Sequence, residues 1–509
     1  MKNKDPYGKI APGELYRAKG IRLLSDATKE QIEQKIGKPE VIRHLLKYFH
    51  LFDKAHLTML SEEGIISKQD AVKSLIALRE MEKVGVEEVR QQDGHGMHSG
   101  ESYLIQKVGF EVGGRIHVGR SSGDLHSAAG RLKARSSILD LMDALLKYRE
   151  VLLQKSEDYV NTVMPYYTMY QHAQPTTFAH LLLRWENPMA RDFLRLQQTY
   201  YSVNQSPVGG AILTGSEFPL NRNRMVELMG FDGLIENTMD AICTLDYGFD
   251  VYGVLGSIMA TLNQTAQDLF IFYTYEFRMI DFDDKHCGTS SIMPQKKNPH
   301  VLMRATDNIR KVYGFLNEFI FETSGIVTGG KSPLTDELWQ AIDLVTESLE
   351  IMSSIFPPLR VNEERMRELA GAFWAQATDL AGVMVREKGL PFRTAHQITG
   401  IIVRKSIERS ISPRDLKTEL IDESAMEYMG KPLHLNQEVI DKVMDPMEIV
   451  KARTLIGGPA PVEMRRQISK SKKQLREDKE KPSILRDNLK KAEEKLERAI
   501  DKLIAEYTG

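Results

Sequence analysis

SAAGRLKARSSILDLMDALLKYREVLLQKSEDYVN, residues 127–161, contains almost no turn-forming residue. Leu132, Ile138, Leu141, Met142, Leu145, Leu146, Tyr148, Val151 and Leu152 recur mostly three or four residues apart, the spacing of one face of an α-helix. The same period returns at 178–201, 247–277, 299–325 and 334–354. Helices of this length predict an elongated bundle, or helical packing shared between subunits. No alternating segment longer than a few residues announces a sheet. The expected fold is all-α, with a long central bundle.

Outward from that stretch the pattern stays helical. Leu45, Leu46, Phe49, Phe52, His56, Met59 and Leu60 mark a helix beginning near Glu40, and Gly64 ends it. Ser67 is a suitable N-cap for the next helix, which carries Val72, Leu75 and Leu78. Residues 94–100, rich in Gly and His, read as a loop, and 101–108 as a short helix. Phe356-Pro357-Pro358 closes the central region. A smaller helical region spans 362–458. After Pro482-Ser483, read as a helix start, Leu485, Leu489, Ala492, Leu496, Ile500 and Leu503 form a narrow apolar stripe, suited to its own subunit or to a coiled-coil partner. The expected domains are 1–115, 116–358, 359–465 and a charged extension at 466–509, with residues 1–37 irregular.

The composition is that of a globular protein: 42% hydrophobic, 27% charged and a net charge of -2. That balance gives no reason to expect nucleic acid or an anionic membrane as partner. Two cysteines, Cys243 and Cys287, cannot build a disulfide framework, and no Cys/His spacing suggests zinc. With no leader-like or membrane-spanning run, the expectation is a cytoplasmic protein with no metal.

Four polar segments sit beside the long helices. Gly119-Arg120-Ser121-Ser122-Gly123-Asp124 offers an arginine and two hydroxyls just before a helix, where free N–H groups attract anions. Thr168-Met169-Tyr170-Gln171-His172 offers a histidine able to titrate near neutral pH. Residues 207–219 are Gly-rich. Cys287–Pro299 places Ser290, Ser291, Lys296, Lys297 and Asn298 in one loop. Each alone could be structural.

Together, in order and spacing, they resemble the fumarase/aspartase superfamily, and within it the argininosuccinate lyase family. Thr289–Pro299 is similar to the signature in which two serines precede Met-Pro-x-Lys-x-Asn. Gly119–Asp124 resembles a GRSRND segment, Thr168–Pro175 a THLQRAQP segment, and Pro207–Arg222 a PLGSGALAGT…FPIDR segment. Residues 361–366, 377–380, 391–396 and 457–461 resemble the same family. The resemblance implies three helical domains, a homotetramer whose central bundles form a shared helical core, and active sites built from three subunits. It also implies a reversible, cofactor-free elimination that releases fumarate from an amine. By the same matching Ser290 is the base, with Lys296 and Asn298 on the carboxylate. Arg120, Ser121, Thr168, Gln171, Ser291 and Met293 become substrate-binding candidates.

The chain departs from that pattern on the amine side. The family histidine is Met169, which moves no proton, so His172 becomes the catalytic candidate, with His126 an alternative. The second arginine of GRSRND is Ser122 and its asparagine, a substrate ligand in the family, is Gly123. A segment that holds arginine in the family aligns with 327–335, where Val327, Ser332 and Thr335 replace tyrosine, glutamine and lysine. A polar site rejects ligands that leave its groups unpaired. Three readings stand: a carbon–nitrogen lyase for an N-substituted aspartate other than argininosuccinate, argininosuccinate lyase itself, or a non-catalytic homologue.

Overall fold

The structure, a computed structural model, describes residues 43–92, 96–324 and 335–508. The expected irregular N-terminal segment, the start of the first helix near Glu40, and all of the 327–335 segment except Thr335 lie outside them. Among the described residues no helix is long and apolar enough to cross a membrane.

The N-terminal region packs α1 (Leu46–Glu62), α2 (Lys68–Val84) and α3 (Ser99–Val108). The Ser67 side chain accepts from the Asp70 N–H and caps α2 as expected. Ser99 and Gly100, expected in a loop, already belong to α3. Five long helices then build the bundle: α4 (Ser122–Asp158), α5 (Phe178–Val203), α6 (Asp246–Tyr273), α7 (His300–Thr323) and α8 (Asp336–Ile355). Their shared core contains Leu141, Met142, Leu145, Trp185, Phe193, Leu255, Leu262, Ile309 and Leu349. Burying side chains of this size stabilises by about 1.5–3 kcal/mol each. A separate core, with Leu380, Ile398, Ile402 and Ile421, joins α9 (Ala377–Lys388), α10 (Phe392–Glu408) and α11 (Thr418–Met429).

The chain ends in α12 (Pro461–Thr508), one helix of 48 residues. Pro482 lies inside it rather than at a start, correcting the sequence expectation. Contacts on both sides of the proline hold the helix together. Arg149, fully buried in α4, donates to Glu186 of α5 at 2.8 Å and to Asp478 of α12 at 2.6 Å. Past the proline, Arg486 pairs with Asp140 and Asp143, and Leu496, Ile500 and Leu503 enter the N-terminal core. The apolar stripe therefore lies on its own subunit.

A β-hairpin interrupts the helical pattern. Strand β1 (Val163–Thr168) pairs antiparallel with β2 (Gln171–Thr177) between α4 and α5. Its turn residues Met169 and Tyr170 have φ of 51° and 60°. Paired positive φ values are what tight hairpin turns require, but glycine or asparagine usually supplies them. The hairpin was therefore hidden in the sequence, although the fold remains helical.

Candidate active site

The first polar segment starts α4. Ser121 is its N-cap, in a capping box with Asp124: the Ser121 N–H donates to Asp124 Oδ2 at 2.9 Å, and the Ser121 hydroxyl accepts from the Gly123 N–H. The other Asp124 oxygen accepts from the N–H groups of Gly209 at 2.9 Å and Ala211 at 3.1 Å. One buried carboxylate thus binds the second Gly-rich segment to the first. Burial pushes Asp124 up to about 6, against the three N–H donors and Arg120, which pull it down.

The tight packing reaches Gly123. A Cβ there would sit 2.9 Å from the Ala211 carbonyl oxygen. Beneath the loop, Arg120 is buried and donates to Asp53 at 2.5 Å, and Arg90 donates to the other oxygen of the same carboxylate. Nε and Nη2 of Arg120 have no hydrogen-bond partner among the described residues. One aspartate thus faces two arginines under the start of α4.

The second segment is the hairpin. Thr168 and Gln171 are exposed and pair beside its turn, and Met169, 93% exposed, projects from the tip. His172 faces back, against the rings of Tyr167 at 4.9 Å and Phe373 at 4.8 Å. Burial lowers its pKa, which favours the neutral imidazole. Its buried Nδ1 has no hydrogen-bond partner among the described residues.

The fourth segment is a second hairpin, β3 (Gly288–Thr289) with β4 (Lys297–Asn298). Residues 290–296 form its tip. Ser290 Oγ accepts from the Met293 N–H at 3.2 Å. Ser291, Met293 and Lys296 are exposed and Asn298 is half-buried. The two lysines divide the work. Lys297 donates to Asp281 at 3.0 Å and to the Phe282 carbonyl, and lies 2.8 Å from Asp284. Lys296 makes no ion pair among the described residues. Gly288 is required where it stands, because a Cβ would meet the His300 ring at 2.3 Å.

These segments do not form one cluster within a chain. The 37 residues of α4 separate the Arg120 loop from the first hairpin, a length of about 55 Å at 1.5 Å per residue. The Ser290 loop is tied to the hairpin end, because Tyr273, the last residue of α6, donates to the Lys297 carbonyl at 2.9 Å. Tyr166 of β1 likewise donates to Asp268 of α6 at 3.2 Å.

A further group was missed from sequence. The ligand-type atoms of His98, Glu101 and His117 lie within 4.8 Å of one another, the one such convergence among the described residues. His117 Nδ1 is 2.8 Å from Glu101 Oε2, and His98 Nε2 is 2.9 Å from Ser122 Oγ. His98 and Glu101, three residues apart, share one helical face at the start of α3. That spacing was the available signal, and reading 94–100 as a loop obscured it.

A lyase family model matches residues 28–314, and an argininosuccinate lyase C-terminal model matches 374–451. The argininosuccinate lyase of Methanosphaera stadtmanae is 36% identical, over 80% of this chain and 89% of its own. That of Methanocaldococcus jannaschii is 37% identical, over 87% and 92%. Among solved structures, EDDS lyase in complex with formate superposes with a TM-score of 0.87 at 28% identity, covering 91% of this chain and 93% of that one.

Proposed function

Since the chain belongs to the argininosuccinate lyase family of the fumarase/aspartase superfamily and is a fumarate-releasing carbon–nitrogen lyase, we propose that its substrate is an N-substituted aspartate whose amine is not arginine. The packing at Gly123 carries this reading. A Cβ at that position would already sit 2.9 Å from the Ala211 carbonyl oxygen, so an asparagine would crowd the neighbouring loop. The asparagine contact implied by the resemblance is therefore closed off by a neighbouring loop, and the change to Ser122 beside it alters the same surface.

Ser290 removes the proton from carbon beside the carboxylate. The Met293 N–H on Oγ supports this role, since a loop N–H stabilises a developing alkoxide. Lys296, with no competing ion pair, neutralises the dianion that forms, and Asn298 and Ser291 hydrogen-bond its carboxylate. Met293 lines the same loop. Arg120, Ser121, Thr168 and Gln171 hold the rest of the substrate. His172, neutral and shielded by two rings, is the weaker of the catalytic assignments.

An assembly of several copies, a homotetramer by the resemblance, makes the site complete; the length of α4 supports this. Two cysteines are too few for a disulfide framework, which supports a reducing, cytoplasmic location. The second reading, argininosuccinate lyase itself, is favoured by identities of 36% and 37% over most of the chain. Following fumarate by ultraviolet absorbance with argininosuccinate and with EDDS separates the two. Faster release from EDDS is the expected result. Robust turnover of argininosuccinate would overturn the proposal.

A further inference from the structure

Met169 leaves the nitrogen side of the reaction without the family's proton-transfer group, and the structure holds a different set of groups beside the Arg120 loop. Ser122 is exposed in the first turn of α4. Its Oγ is 2.9 Å from Nε2 of His98, a ring only 3% exposed. The other ring nitrogen, Nδ1, lies 3.5 Å from Glu101 Oε2, and the same oxygen is 2.8 Å from Nδ1 of His117. Burial alone would raise Glu101. Its hydrogen bonds to His117 and His98, with the Arg120 charge, outweigh that and hold its carboxyl well below the usual range.

An ionised carboxylate can only accept, so Glu101 favours a proton on the His98 nitrogen that faces it across 3.5 Å. Nε2 is then an acceptor, and the Ser122 hydroxyl donates to it. Hydroxyl, imidazole and carboxylate stand in the order that lets a buried base draw a proton through an exposed hydroxyl.

We propose that Ser122, His98 and Glu101 form a proton relay serving the substrate nitrogen. In the addition direction the amine nitrogen attacks the fumarate double bond and gives up one proton to Ser122 Oγ. Ser122 passes its own proton to His98 Nε2, and Ser290 supplies the proton that arrives on carbon. In elimination the flow reverses. Elimination starts with His98 protonated on both nitrogens and Ser290 deprotonated: Ser290 takes the carbon-bound proton, the C–N bond breaks with its electron pair going to nitrogen, and Ser122 protonates that nitrogen while His98 returns its Nε2 proton to Ser122 and is left neutral. Glu101 is a positioning residue: it fixes the ring orientation and stabilises the imidazolium. His117 holds Glu101 from the other side.

This rests on the N-substituted aspartate reading, and the test keeps the two apart. The full-length protein is assayed with argininosuccinate and with EDDS for fumarate release, and in heavy water for exchange of the succinyl C–H hydrogens. Exchange needs Ser290 and the groups that stabilise the dianion it forms, whereas release needs the relay as well. In Ser122→Ala and His98→Gln, release should fall at least about 100-fold, the usual worth of a placed acid or base, while exchange continues near the wild-type rate. The double variant should be no slower than the slower single one, because groups acting as a unit do not add. Ser122 is exposed, so Ser122→Ala keeps the test valid if His98→Gln fails to fold. Release from Ser122→Ala at the wild-type rate overturns the relay alone. Exchange that falls together with release marks a binding role and also overturns it. Wild-type protein that neither releases fumarate from nor exchanges either compound overturns the substrate reading first, and the relay with it.

Discussion

Ser290 and Gly123 make opposite demands on their surroundings. Ser290 sits at the tip of an exposed hairpin and touches little besides the Met293 N–H. Ser290→Ala should therefore lower fumarate release by about 1,000-fold or more and leave the melting temperature unchanged, as activity and thermal unfolding of one sample would establish. Gly123 is constrained by shape. Restoring the family's asparagine places Cβ 2.9 Å from the Ala211 oxygen and 3.4 Å from Ile242 Cγ2. The loop cannot yield cheaply, because Asp124 holds the Gly209 and Ala211 N–H groups. Gly123→Asn should cost about 1–3 kcal/mol by overpacking, read by urea unfolding, and should not raise turnover of argininosuccinate. At this scale the sequence exposed Ser290 and Lys296, which lie in one short motif. It concealed His98 and Glu101, whose meaning depends on Ser122, which the fold brings to 2.9 Å from His98.

Elements were legible wherever their cause was local. The long helices followed from apolar periodicity, which needs no knowledge of neighbours. The hairpin at Val163–Thr177 escaped because its turn uses Met169 and Tyr170, neither a usual positive-φ residue. The start of α12 was misplaced because a proline normally opens a helix, and here packing and ion pairs carry the helix through it. Pro482→Ala should accordingly stabilise the protein by about 2 kcal/mol: roughly 3 regained from the helix interior, less about 1 from a freer unfolded chain. Thermal unfolding reads that gain. The contact of α1 with α2 depends on pH. Burial would raise Glu82, but His50 and Lys54 of α1 hydrogen-bond it and lower it to about 2. A carboxyl held below its unfolded value of 4.5 stabilises fully above that value and loses the effect as pH falls toward 2. Glu82→Gln should cost about 1 kcal/mol at pH 7, discounted for its partial exposure, and the gap to wild type in urea unfolding should close between about pH 5 and about 2.

For the whole molecule, the geometry of α4 sets the argument. The Arg120 loop lies at one end of a helix about 55 Å long, and the Ser290 loop is tied to the bundle's other end. No substrate the size of a substituted aspartate spans that distance, so the proposed site, if it uses both loops, takes the Arg120 end of one copy and the Ser290 end of another. Two defective chains should then repair each other. Arg120→Ala and Ser290→Ala are each expected to be inactive alone, since every site in either assembly lacks one group. Arg120 is also bound to Asp53, so Arg120→Lys, which keeps the charge but not the fork of donors, guards against a folding defect. After the two proteins are mixed one to one, dissociated and reassembled, random pairing gives both intact segments to roughly a quarter of the sites. Activity near a quarter of wild type is the expected recovery. None would mean that both segments of each site come from one chain, a path the length of α4 does not allow in this fold, and the shared-site assembly would have to be abandoned.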